Sequence, residues 1–277
     1  MEEKLKALME KAMDLRRGVL EMCVKARTGH VTSSFSCAEI LAALYYGGVM
    51  RYKVDEPRWP GRDRFILSKG QASPILYVLL ADLGFFPHCR LGQFCEAEGM
   101  FGVHLQHDVP GVEVTTGSLG HGLGIAAGMA FKARYDGESH LVFTLLGDGE
   151  LYEGSIWEGA LFAAHHRLSN MVAIVDRNWL CVTDFTENIV KLEPLTEKWQ
   201  AFGWDAVNVE GHSMEALLGV LEGVRERKSE KPLAIIANTV KGKGVSFLES
   251  QILWHGVAPS GEEAEKALAE LRKELKA

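Results

Sequence analysis

The sequence predicts an α/β fold, a parallel sheet with helices on both faces, preceded by a helical N-terminal extension. Two observations carry this. The stretches LVFTLLG (141–147), MVAIVD (171–176) and LAIIANT (233–239) are continuous apolar runs, the pattern of strands whose sheet is covered on both sides. Helical stretches alternate with them along the chain, and such alternation builds crossover units and hence parallel strands. With no internal repeat and no linker rich in Pro, Gly or Ser, residues 1–277 read as a single domain.

The elements follow in order. Residues 4–26 place Leu5, Leu8, Met9, Ala12, Leu15, Val19 and Met22 on one face of an amphipathic helix. After Thr28-Gly29-His30, Ser36 is placed to cap a second helix, CAEILAALYYGG, which Gly47 and Gly48 end. Residues 50–63 are loop, RFILS (64–68) a short buried strand, and Pro74 to Leu83 a helix. Residues 85–116 are irregular, and a loop that long inside a domain is usually functional. A helix from Ser118 to Tyr135 leads to strand 141–147, a helix from Gly154 to His166 to strand 171–176, and residues 177–196 form a second long loop. The remainder reads as a helix near 195–202, strand AVNVE, a helix over 213–228, strand 233–239 and a C-terminal helix from 260.

Composition narrows the function. A formal charge of −7 without a basic stripe argues against nucleic acid. No run of about 18 apolar residues is present to span a bilayer, and the charged N-terminus lacks the apolar core of a signal sequence. Five scattered cysteines suit reduced thiols in the cytoplasm. His88, Cys89, Cys95, His104 and His107 lie close in sequence but lack zinc-ligand spacing, and read as a loop with buried thiols.

Ligands of open α/β sheets bind at the carboxyl ends of strands. Two such ends suit a magnesium diphosphate. Gly147-Asp148-Gly149 directly follows strand 141–147, offering a carboxylate flanked by glycines that let phosphate approach backbone N–H groups. Asp176-Arg177-Asn178 follows strand 171–176, and Asn178 supplies an amide oxygen. One helix and one strand separate them, so the two ends can lie side by side.

On these residues the chain resembles the thiamine-diphosphate enzymes, and through GRDRFILSKG (61–70), PGVEVTTGSLGHGLG (110–124), GDGELYEG (147–154) and KGKGVSFLES…WHG (241–256) it resembles transketolase over nearly its whole length. The resemblance implies magnesium, with Ca2+ or Mn2+ as substitutes, on Asp148, Asn178 and the Leu180 carbonyl. It implies thiamine diphosphate against Gln71, Gly117, Ser118, Leu119, Gly147, Asp148, Gly149, Glu150, Asn178, Leu180, Val182 and His255. His30, His104 and His255 match histidines that line the substrate channel and assist proton transfer, a task suited to imidazole. Glu153 and Glu158 match glutamates that link paired cofactor sites across a subunit interface.

The sequence also departs from the family. Gln71 stands where a histidine is usual, and Val103-His104-Leu105 replaces Gly-His-Pro. Gly29-His30-Val31-Thr32 likewise replaces Gly-His-Pro-Gly. All three changes are expected near the substrate channel. No pyrimidine-binding domain follows residue 277, so the resemblance implies the N-terminal subunit of a split transketolase. Its partner would be a C-terminal, pyrimidine-binding subunit in an α2β2 heterotetramer, without which the chain is inactive. The implied reaction passes a two-carbon ketol unit from a ketose or its phosphate to an aldose. Alternatives are a deoxyxylulose-phosphate-synthase-like enzyme, a specialised sugar ketol transferase, or a degenerate non-catalytic homologue.

Overall fold

The computed structural model describes residues 2–274. Five parallel strands form one sheet: β1 (Arg64–Leu67), β2 (Val142–Gly147), β3 (Met171–Arg177), β4 (Asp205–Glu210) and β5 (Leu233–Asn238), in the order β1-β2-β3-β5-β4. Every residue of β2 and β3 is buried, as their unbroken apolar runs require, while the edge strand β4 is mostly half-exposed.

Alternate residues of the strands feed two cores. Phe143, Leu145, Val172, Ile174, Leu233 and Ile235 face one side. There they meet α1 (Glu2–Ala26), α3 (Ala38–Tyr45), α4 (Ser73–Leu83), α9 (Met214–Leu221) and α10 (Gly261–Glu274). Val142, Leu146, Met171, Ala173, Val175 and Ile236 face the other side, under α5 (Gly122–Tyr135), α6 (Gly154–His165) and α8 (Leu195–Ala201). Burying one such aliphatic side chain stabilises the fold by about 1.5–3 kcal/mol. The predicted stripe of α1 is the buried one, through Leu8, Ala12, Leu15, Val19 and Met22.

Four local expectations need correction. Ser36 does not cap α3; it ends the short α2 (Val31–Phe35), and its hydroxyl donates to Asp176 Oδ2 at 2.6 Å. The helix expected from Ser118 starts at Gly122, because Gly117 (φ +130°) and Gly120 (φ +84°) carry the chain through left-handed conformations that no helix contains. Added Cβ atoms there would come within 2.8 Å of the His104 ring and 2.6 Å of Glu153 Cβ, so both turns need glycine. The helix expected over 213–228 ends at Leu221. Cys89 and Cys95, expected to be buried, are exposed. The long loop 177–196 contains one turn of helix, α7 (Thr186–Ile189). No helix among the described residues is long and apolar enough to cross a membrane.

Candidate functional site

Four adjacent strands end at one cavity of about 230 Å³. β1 delivers Lys69, β2 delivers Asp148, β3 delivers Asn178, and β5 runs on to Lys241. This is where a doubly covered parallel sheet leaves its chemistry, since the strand ends are the one part of the sheet free of helices.

Asp148 follows β2 directly and is buried. Its Oδ1 accepts from Gly149 N at 2.8 Å, and its Oδ2 accepts from Trp179 N at 2.6 Å and Arg177 Nη1 at 3.2 Å. Burial and the neighbouring Asp176 push its carboxyl up to about 6, against the opposing pull of Arg177 and the two amides. The Arg177 guanidinium is fully buried. It also donates to Glu193 (3.0 Å), Glu187 (2.8 Å) and Thr186 Oγ1 (2.6 Å), and lies 3.8 Å from the Trp179 ring. One side chain thus folds loop 177–196 over the end of β3 and orients Asp148. Asn178 Oδ1 accepts from Leu180 N at 3.2 Å and its amide donates to Asp176 Oδ2 at 3.3 Å.

Two buried lysines face this carboxylate. Lys69 pairs with Asp176 and donates to Ser33 O at 2.9 Å. Burial alone would depress Lys69, but Asp176 outweighs it and raises it. Lys241 has no such partner, and burial with the nearby Lys69 lowers it to about 8. Its Nζ lies 2.6 Å from His255 Nδ1. Donation from the ammonium to that nitrogen leaves the His255 proton on Nε2.

The histidines form the opposite wall. His30 caps no amide of α2; its ring stands 5.4 Å from that of His255 and 6.5 Å from that of His104. Burial, His104 and the two lysines lower His30 to about 4, and burial, Lys241, His30 and Lys69 lower His255 to about 3. Both imidazoles are therefore neutral near pH 7. Among the described residues His30 Nδ1 is buried without a hydrogen-bond partner.

Of the residues expected from sequence, the cavity brings together His30, Gln71, His104, Gly117, Leu119, Gly147, Asp148, Gly149, Glu150, Asn178, Leu180, Val182 and His255. Ser118, Glu153 and Glu158 are exposed and outside its lining. The Glu150 carboxylate is committed inward, accepting from Gly120 N (2.9 Å), Gly147 N (3.1 Å) and Ser68 Oγ. Among the departures, only Gln71 lines the cavity; Leu105 and Val31 are core residues, and Val103 is tied by its carbonyl to Ser73 Oγ at 2.5 Å. Sequence reasoning missed Lys69, Lys241, Ser33 and Cys181 as cavity residues. The lysines carried a signal: each follows closely on a buried strand, where a charged side chain has no structural use.

The donor set fits a diphosphate held with a divalent cation. It combines one carboxylate, a neutral amide oxygen, two buried ammonium groups and the open backbone of Gly147 and Gly149.

Comparison with known proteins gives the same assignment. Residues 9–275 match the family model described as transketolase, thiamine diphosphate binding domain. The chain is 38% identical over 260 residues to an apulose-4-phosphate transketolase subunit of Phocaeicola vulgatus, covering 94% of this chain and 92% of that protein. It is 40% identical over 268 residues to the 6-deoxy-6-sulfo-D-fructose transketolase subunit SqwG of Clostridium sp. (strain MSTE9), covering 96% and 97%. The crystal structure of transketolase from Campylobacter jejuni superposes with a TM-score of 0.88 at 30% identity, over 98% of this chain and 43% of that one. The strand-end site and these matches agree that the chain belongs to the transketolase family, as its thiamine diphosphate binding domain.

Proposed function

We propose that this chain, 1–277, is the diphosphate-binding subunit of a split transketolase, moving a two-carbon ketol unit from a ketose or ketose phosphate to an aldose. The observation that carries the reading is the convergence of Lys69, Asp148, Asn178 and Lys241 on one cavity walled by neutral histidines. Thiamine diphosphate, when bound, supplies the electron sink for breaking and making the carbon–carbon bond. Asp148, Asn178 and the Leu180 carbonyl would hold Mg2+ with the diphosphate, and Lys69 and Lys241 would neutralise its remaining charge. Gly117 and Leu119 line the cavity beside the sharp turn before α5, and Val182 lies on its rim. His30 and His104 face the same space with nitrogens free to accept or donate a proton at sugar hydroxyls.

Large hydrophobic side chains are exposed on the loop that carries Val182 into the cavity (Trp179, Val182, Phe185, Ile189 and Val190) and on α5 and α6 (Phe131, Leu161 and Phe162). Exposed large apolar side chains gathered on neighbouring elements suit an interaction surface. A C-terminal, pyrimidine-binding subunit covers it in an α2β2 assembly, with Glu153, just before α6, and Glu158, on α6, at the contact between copies. The relatives from Phocaeicola vulgatus and Clostridium, themselves transketolase subunits that the chain spans over 92% and 97% of their lengths, support a sugar or sugar-phosphate substrate. All five cysteines are free, in keeping with a reducing cytoplasm.

Calorimetric titration of thiamine diphosphate with Mg2+ tests this, into the chain alone and then with the C-terminal subunit. Tight binding in the mixture and ketol transfer by the mixture only are expected. No binding in either would remove the reading.

A further inference from the structure

Immediately past β5 the chain leaves the sheet. Thr239 N still donates to Arg177 O at 3.0 Å, but the next amide, Val240 N, donates to His212 Nε2 at 2.7 Å. On the other side of that ring, His212 Nδ1 lies 3.0 Å from Glu39 Oε2. A backbone N–H can only donate, so Nε2 is the acceptor and the ring proton sits on Nδ1, pointing at the carboxylate.

Glu39 accepts from Arg16 Nη2 at 2.7 Å, and the side chains of both are at most 2% exposed. Burial raises the Glu39 carboxyl, but Arg16 and His212 outweigh it and hold it at about 2. Arg16 Nε and Nη2 also donate to Phe35 O, at 3.2 and 2.9 Å. Phe35 ends α2, the helix that starts beside His30. Thr32 of the same helix bonds the far segment directly: Gly242 N donates to Thr32 O at 3.1 Å, and Thr32 Oγ1 donates to Trp254 O at 2.9 Å. These buried bonds together grip α2 behind His30, the chain on either side of Lys241, and Trp254 beside His255.

We propose that His212 is a positioning residue: through the Val240 amide it anchors Lys241 in the cavity, with Arg16 and Glu39 setting its tautomer. The proposal rests on the diphosphate-site reading above. An apolar ring of the same size would fill the space but leave the Val240 N–H unmatched and Glu39 with Arg16 alone, and an unmatched buried donor is costly. The side chain is 14% exposed and does not line the cavity, so it acts on cofactor through the segment it anchors, in which Lys241 is the cavity residue next to the Val240 bond.

Two variants separate its two bonds. In His212→Asn the amide stands in for Nδ1–H toward Glu39 but has no acceptor where Nε2 was. In His212→Gln the side-chain carbonyl takes the place of Nε2. Hydrogen exchange of the full chain and calorimetry of the complex with thiamine diphosphate and Mg2+ are the readouts. His212→Asn should speed exchange across residues 240–256 and weaken cofactor binding, each about tenfold, with His212→Gln within about threefold of wild type. In a Lys241→Ala background His212→Asn should add less than about twofold. Wild-type exchange at 240–256 in His212→Asn would overturn the proposal. So would a cofactor loss of equal size in the Lys241→Ala background, since His212 would then act through overall stability. Faster exchange at 240–256 in a protein whose wild type binds no thiamine diphosphate would leave the anchor standing and remove the proposed function instead.

Discussion

On the β2–β3 side of the cavity the polar side chains are already committed to one another, whereas on the α2 and 241–255 side the cavity-facing His30 and Lys241 keep unused hydrogen-bonding capacity. Asp148 accepts three hydrogen bonds, Glu150 three, and Arg177 spends its donors on Asp148, Thr186, Glu187 and Glu193. Across from them His30 Nδ1 is buried and unbonded, and Lys241 has only a neutral imidazole beside it. A satisfied network holds its geometry before any ligand arrives. An unsatisfied wall keeps its hydrogen-bonding capacity for whatever enters. The cavity thus pairs a preset anchor with a receptive face.

The largest way to break that contrast is at Arg177. Arg177→Met leaves Asp148 and two glutamates without their buried cation, and should destabilise the protein by about 3–5 kcal/mol in denaturant unfolding. Next comes Asp148→Ala, which should weaken Mg2+-dependent cofactor binding at least about 100-fold by calorimetry while the fold survives, because the carboxylate is the one anionic cation ligand of the set. Smaller effects follow from pH. The folded Asp148 titrates near 6, above its ordinary 3.8, so its charge costs the cofactor-free protein stability as pH rises from about 4 to 6. Cation binding needs that charge and should tighten over the same window, weakening about tenfold per unit below 6. Lys241 titrates near 8, below its ordinary 10.5, so diphosphate affinity should fall again above pH 8. The smallest effect on folding is expected on the receptive face. His30→Asn should change stability by less than about 1 kcal/mol and leave cofactor affinity unaltered, while ketol transfer falls about 100-fold. A variant that unfolds would put His30 in the anchor instead.

The same division explains what was legible in the sequence. The strands were, because burial on both faces leaves unbroken apolar runs such as MVAIVD. Asp148 and Asn178 were, because each sits at a strand end next to backbone that phosphate can approach. The buried network was not. Ser36 reads as a helix cap, yet its partner is Asp176, 140 residues on. Nothing in a local window reports that Arg177 meets Glu193, or that His212 meets Glu39 from 173 residues away. Turn chemistry misled where two glycines act together: Gly117 and Gly120 delay α5, although Ser118 is a good cap by type.

The packing of α1 against α10 has a consequence for biosynthesis. Leu8, Ala12 and Leu15 share one core with Ala267 and Leu271, some 250 residues away. At about 5–20 residues per second, a ribosome needs roughly 13–50 s to deliver the second group after the first. Until then the apolar stripe of α1 lacks the part of its cover that α10 supplies, while α3 and α4 are made early and β5 (Leu233–Asn238) only shortly before α10. The nascent chain therefore spends most of its synthesis with one flank of α1 uncovered, a surface that a holding chaperone would recognise and that slow translation would keep exposed for longer.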